Sequence, residues 1–98
     1  MNEDVRYGLF CWSAAKERVN VLRHGLSFRE AVAVFADAYR IVAKDDKHSL
    51  KEERLFCIGR VNGRVATVRF TYRGKLVRIF GAGFWRKGRK LYEETKPD

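Results

Sequence analysis

The stretch 61–83, "VNGRVATVRFTYRGKLVRIFGAG", decides the fold. Its two glycine turns, Asn62-Gly63-Arg64 and Arg73-Gly74-Lys75, lie between runs rich in β-branched and aromatic residues, which predicts successive hairpins. With "LFCIGRV" (55–61) before it, the stretch forms a three-strand antiparallel meander. Alternation places Ala66, Val68, Phe70 and Tyr72 on one face and Thr67, Arg69, Thr71 and Arg73 on the other. In the last strand Val77, Ile79 and Gly81 alternate against Leu76, Arg78 and Phe80. The first set suits a core; the second brings Arg69 close to Arg78 on the uncovered face. Like charges side by side on a sheet destabilise it unless something anionic sits between them, so this arrangement predicts a bound phosphate.

Upstream, "YRIVA" (39–43) reads as another strand, followed by the polar connection "KDDKHSLKEER" (44–54). "LSFREAVAVF" (26–35) reads as an amphipathic helix: Ser27 and Glu30 form a capping box, Leu26 staples onto Ala31, and Phe28, Ala31, Val32 and Phe35 share a face. Before it, Ser13 caps a helix running to His24, with Ala15, Val19 and Leu22 as its apolar stripe and Gly25 as its left-handed stop. His24, in the last turn, suits the helix dipole and reads as a capping residue. "YGLFCW" (7–12) is a short opening strand. After the meander, "GAGFWRKGRKLY" (81–92) leads into a basic helix over about Arg86 to Glu94. Phe84 and Trp85 either cap the core under that helix or stack on an unpaired base, while Arg86, Lys87, Arg89 and Lys90 face outward. The expected architecture is α+β: an N-terminal strand and helical hairpin packed on one face of an antiparallel sheet, with a C-terminal basic helix, in one domain spanning 1–98.

Charge narrows the function. The chain of 98 residues has net charge +9, unevenly distributed: residues 1–49 hold 8 Lys/Arg against 7 Asp/Glu, and residues 50–98 hold 13 against 5. From Arg54 through Tyr92 there are 11 Lys/Arg and no acidic residue, the footprint of a protein that receives nucleic acid or an acidic partner. Cys11 and Cys57 form no Cys-x-x-Cys pair and have no metal-ligand spacing, so they read as two buried thiols of a reducing compartment. No metal or cofactor is expected. "MNEDVRYGLFCW" lacks the basic start and apolar stretch of a signal peptide, and no apolar run reaches membrane-span length, so a cytoplasmic protein is expected.

"FCWSAAKERVNVLRHGLSFREAVAVF", then "DDKHS…EERLFCIGRV", then "LVRIFGAG…YEE" resembles the BrnT toxins, with the series Trp12, Lys16, Asn20, His24-Gly25, Phe28 and the series His48-Ser49, Glu53-Arg54, Gly59 as its most specific pieces. The resemblance runs from about Phe10 to Glu94. It implies a RelE/ParE-like fold and a small, metal-independent endoribonuclease that cleaves RNA. It also implies neutralisation by a BrnA-like antitoxin with a ribbon-helix-helix DNA-binding domain, so that DNA is met only through the antitoxin. Where many members close the last strand with an Ile-Ser-Ala-Arg type sequence, this chain has Phe80-Gly81-Ala82-Gly83. Two readings follow: a nuclease whose charge comes from Arg86 and Lys87 in the next turn, or a weak or inactive member that binds RNA or serves as an antitoxin-bound co-repressor.

Metal-free RNA cleavage requires a base for the 2′-hydroxyl, cations for the charge on phosphorus and an acid for the leaving 5′ oxygen. Arg69, Arg78 and Arg86 are the cation candidates, because guanidinium binds phosphate bidentately. His48, in a polar loop beside basic strands, is the candidate for proton transfer, with hydrogen bonding to Ser49 or backbone as its alternative. Glu53 is a candidate base, with an ion pair to Arg54 or Arg60 as its alternative. Arg54, Arg60, Arg73, Trp85, Lys87, Arg89, Lys90 and Tyr92 complete the expected RNA-binding set.

Overall fold

The computed structural model describes residues 3–97. The chain opens with a hairpin, β1 (Asp4–Tyr7) and β2 (Phe10–Ser13), where one strand at 7–12 was expected; the break falls at Gly8, in a tight turn. The helical hairpin follows, α1 (Ala14–His24) and α2 (Phe28–Ala31), the latter continuing as a 3₁₀ turn, Val32–Ala36. Then come β3 (Ile41–Lys44), a short 3₁₀ turn at Asp46–His48, β4 (Leu55–Val61), β5 (Arg64–Arg73), β6 (Leu76–Gly83) and α3 (Arg86–Thr95). All six strands form one sheet in the order β1-β2-β6-β5-β4-β3. The sheet is mixed, which corrects the antiparallel expectation: the N-terminal hairpin inserts beside β6 with β2 parallel to it, Phe10 opposite Val77 and Trp12 opposite Ile79.

The expected caps are present. The Ser13 side chain accepts from the Lys16 amide, the α1 helix stops at Gly25 in the left-handed conformation, and Ser27 and Glu30 form a reciprocal capping box. The apolar stripe assigned to α1 is not its buried face. Leu22 is 87% exposed and Val19 47%, whereas Asn20 is 7% exposed. Polar anchors hold this helix in place of a hydrophobic seam. The Asn20 side chain donates to the carbonyls of Leu26 (2.8 Å) and Ala82 (2.9 Å) and accepts from the Ala82 amide (3.1 Å), so it pairs with β6 beyond the point where β2 leaves the sheet. Glu17 accepts from the Trp12 indole (3.0 Å) and from the amides of Phe28 and Arg29, tying β2, α1 and the start of α2 together.

In α2 and its extension the fully buried series is Phe28, Ala31 and Val34, with Val32 and Phe35 only half-buried. That spacing of three belongs to a 3₁₀ helix, whose side chains at i and i+3 eclipse, and it replaces the 3.6-residue stripe. These residues cover Val68, Phe70, Ile79 and Ala82 to form the main core. Tyr72, assigned to that face, lies beyond the helices and is exposed. α3 covers the opposite face at the β3–β4 end, where Tyr92 packs with Ile58, Val65 and Ile41. Gly88 makes this docking possible: a β-carbon there would lie 2.0 Å from the Thr67 hydroxyl.

β5 and β6 contain a bulge. Arg69 pairs with Gly81 and Phe70 with Ile79, leaving Phe80 as the extra residue. Beyond it the alternation of β6 flips, turning Gly81 to the Arg69 face and Ala82 into the core. Arg78 sits opposite Thr71, in the register set by the Gly74 turn before the bulge is reached, two rungs from Arg69, and the expected neighbouring pair does not form.

Candidate active site

The bulge and the helix α1 together make a cleft. Where β2 ends, α1 runs beside β6, held by Asn20, and the groove between them has a volume of about 320 Å³. Lys16, Arg23 and His24 line it from α1; Arg69, Phe80 and Gly81 from the sheet; Trp85 closes one end. Among the described residues, Lys16, Arg23 and Arg69 have no carboxylate within ion-pair distance. A concave surface with unneutralised cations and two aromatic rings attracts an anion and can stack a base.

The bulged Phe80 organises the cations. The Arg54 guanidinium lies 3.8 Å from its ring centre, with Lys16 Nζ at 5.3 Å and Arg73 at 5.9 Å. Arg54 and Arg73 also share the Glu52 carboxylate, at 3.5 and 3.1 Å, and they hold it below the ordinary carboxylate range, chiefly through the Arg73 hydrogen bond. They form the outer wall of the cleft, with part of their charge already spent. Trp85 folds over Gly83 so closely that a β-carbon there would lie 2.6 Å from the indole, and His24 meets the indole edge-on at 5.3 Å. Gly83 therefore seats a tryptophan, and Gly81, with room for a β-carbon, leaves the cleft floor open.

The residues expected from the sequence divide by location. Arg69 lies in the cleft and Trp85 at its end, with Arg54 and Arg73 on its margin. Arg86, Lys87, Arg89 and Lys90 are exposed on α3, which starts immediately after Trp85. Arg78 lies outside: it makes two 3.1 Å bonds to Asp4 of β1, an ion pair that raises its own pKa and lowers that of Asp4. It locks the N-terminal hairpin to β6 and does not pair with Arg69 over a ligand.

His48 lies in a separate shallow depression with Lys51 and Glu52, its Nδ1 2.8 Å from Asp45. That contact, with Ser49 bonding the carbonyl of Asp45 and the amide of Arg54, shapes the 45–54 loop, and the imidazole meets the Asp45 carboxylate in place of the Ser49 or backbone partner expected. Glu53 is exposed, and its backbone carbonyl accepts from the Thr71 hydroxyl. Tyr92 is 1% exposed and donates to Asp37 (2.6 Å), which excludes it from stacking on RNA. Desolvation and the Asp37 carboxylate both raise its pKa. Arg60 lies on that same side, 5.5 Å from the Tyr92 ring centre and away from the cleft.

Sequence reasoning did not place Lys16, Asn20, Arg23, His24 or Phe80 in a site. The signal for three of them was present, since Lys16, Asn20 and His24 recur every four residues along one helical face. The apolar stripe drew attention to the wrong side. Among the described residues no cluster of His, Cys, Asp and Glu has the arrangement of a metal site, and no helix is long and apolar enough to cross a membrane.

Residues 12–88 match the family described as ribonuclease toxin, BrnT, of type II toxin-antitoxin system. No curated protein matches the chain. The match spans both walls of the cleft, from Trp12 beside α1 to Gly88 in α3, and the chain belongs to the BrnT family of ribonuclease toxins of type II toxin-antitoxin systems, whose members are paired with an antitoxin.

Proposed function

We propose that the chain is a single BrnT-like toxin domain of RelE/ParE type that acts in the cytoplasm as a metal-independent endoribonuclease, with the cleft between α1 and β6 as its active site. The observation that carries this reading is the convergence of Lys16, His24 and Arg69 on one groove whose floor is bare at Gly81. An RNA phosphate in the groove meets Arg69 and Lys16. The 2′-hydroxyl attacks phosphorus, forming the O2′–P bond of a cyclic phosphate and breaking the P–O5′ bond. Arg69 and Lys16 offset the charge that builds on the phosphorane oxygens. His24, an imidazole held against Trp85, is the group suited to move a proton at the 2′ or the 5′ oxygen. Arg86 and the exposed lysines of α3 extend the cationic track along the strand.

The partner is an antitoxin of BrnA type with a ribbon-helix-helix DNA-binding domain, and DNA is met only through it. The alternative, a binding protein on a nuclease fold, is favoured by one observation: Trp85 occupies the space that a side chain at position 83 would need. Incubating the purified protein with RNA in EDTA decides between them. Fragments ending in cyclic phosphate support the nuclease; a gel shift without fragments supports the alternative.

A further inference from the structure

Trp85 has two sides. One closes the cleft; the other walls a second pocket of about 360 Å³ between α3 and the β3–β4 end of the sheet. The second pocket is mostly apolar, with Phe56, Ile58 and Thr67 from the sheet, Ala43 from β3 and Leu91 from α3. Lys44 and Lys87 stand over it, both exposed. The Thr67 hydroxyl, buried under Gly88, has no hydrogen-bond partner among the described residues, so the apolar walls adjoin one unused polar group. Its size falls in the small-ligand range of roughly 300–1,000 Å³.

We infer that this pocket receives an unpaired nucleobase of the RNA strand whose phosphate lies in the cleft. The inference rests on the proposed reading of the cleft. Three features favour a base over another apolar occupant. The pocket shares Trp85 with a groove built for phosphate, so a strand crossing the indole places a phosphate on one side and an adjacent base on the other. Lys44 and Lys87 supply charge for the phosphate that follows this base; among the described residues the counter-charge of Lys44 is Asp46, 4.0 Å away at the surface. Splayed bases of single-stranded RNA are held by apolar and aromatic walls of this kind.

The test uses a single-stranded hexanucleotide with 2′-O-methyl at every position, which cannot be cleaved, and a series with one base removed at each position in turn. Affinity for the full chain is read by fluorescence anisotropy. Removing the base at one position is expected to weaken binding to the wild type about tenfold or more. An Ala43→Phe variant, which fills the pocket, binds the intact strand as weakly as the wild type binds that abasic strand, and loses the positional penalty. Leu91→Trp fills the pocket from the helix side and carries the test if the strand variant does not fold. A flat abasic series with the wild type overturns the inference, and an antitoxin side chain as the true occupant would give that result. Absence of RNA cleavage with the positional penalty intact would defeat the nuclease reading and leave the base pocket standing; cleavage with a flat series would do the reverse.

Discussion

Asn20→Ala removes the fastening of α1 to the sheet. Three hydrogen bonds are lost at once, to the Leu26 carbonyl and to both backbone groups of Ala82, at a site from which solvent is nearly excluded. At ~1 kcal/mol per bond the loss is about 3 kcal/mol, which lowers the melting temperature of a domain this size by roughly 12–24 °C. Calorimetry or a circular-dichroism melt measures the shift directly. Asn20→Asp separates hydrogen bonding from size: it keeps an acceptor for the Ala82 amide but turns a carboxylate toward two carbonyl oxygens, so it destabilises at least as much as alanine. Since α1 carries Lys16 and His24 across from Arg69, both variants lose RNA cleavage at temperatures where they remain folded. A melting shift under about 4 °C for Asn20→Ala would show that the helix is held by something else, and the polar account of its docking would fail.

Other consequences follow from particular contacts. Gly88→Ala drives a methyl onto the Thr67 hydroxyl and costs about 1–3 kcal/mol in urea unfolding; adding Thr67→Ala recovers most of it. Asp37 is pushed up by desolvation, but hydrogen bonds from the Tyr92 hydroxyl and from the Tyr39 and Arg60 amides outweigh this and hold its pKa below the ordinary 3.8. A group depressed by folding stabilises above its unfolded pKa, and that contribution is lost as pH falls through the folded value. The wild type should therefore lose stability as pH falls below about 4 more steeply than Asp37→Asn, as read by urea midpoints. Burial pushes the Cys57 thiol up to about 12, so mass spectrometry after alkylation at pH 8 should find Cys57 unmodified in the native protein and modified in urea.

The elements were legible in the sequence because their signals are local. Ser13, Gly25 and the Ser27–Glu30 box fix helix ends through bonds within a few residues, and Asn62-Gly63 and Gly74 fix the hairpins in the same way. Long-range geometry was not legible. The parallel insertion of β2 beside β6 depends on a pairing between residues about 67 apart in the chain, and nothing near Phe10 announces it. The bulge at Phe80 shifts alternation by one residue and turns Gly81 into the cleft, while the register set by the Gly74 turn places Arg78 opposite Thr71 and apart from Arg69. For α1, hydrophobic periodicity identified the exposed side because the buried side is polar, an exception to the rule that apolar stripes face the core. Strand alternation in β5 sets Arg69 on the face opposite Val68 and Phe70, and that face is the one that lines the cleft. His48 drew the proton-transfer assignment because an imidazole in a polar loop beside basic strands suits that role; His24 lies in the last turn of α1, whose cap is Gly25, and that turn opens onto the cleft.

The most direct test of the cleft is single-turnover cleavage of a defined single-stranded RNA in EDTA by the wild type, Arg69→Ala, His24→Gln and His48→Gln. With the melting temperature unchanged, Arg69→Ala and His24→Gln are expected to cut about 100-fold more slowly or worse, and His48→Gln to cut at close to the wild-type rate. Wild-type cleavage by Arg69→Ala, or loss of cleavage by His48→Gln alone, would contradict the account and move the chemistry to the loop at residues 45–54.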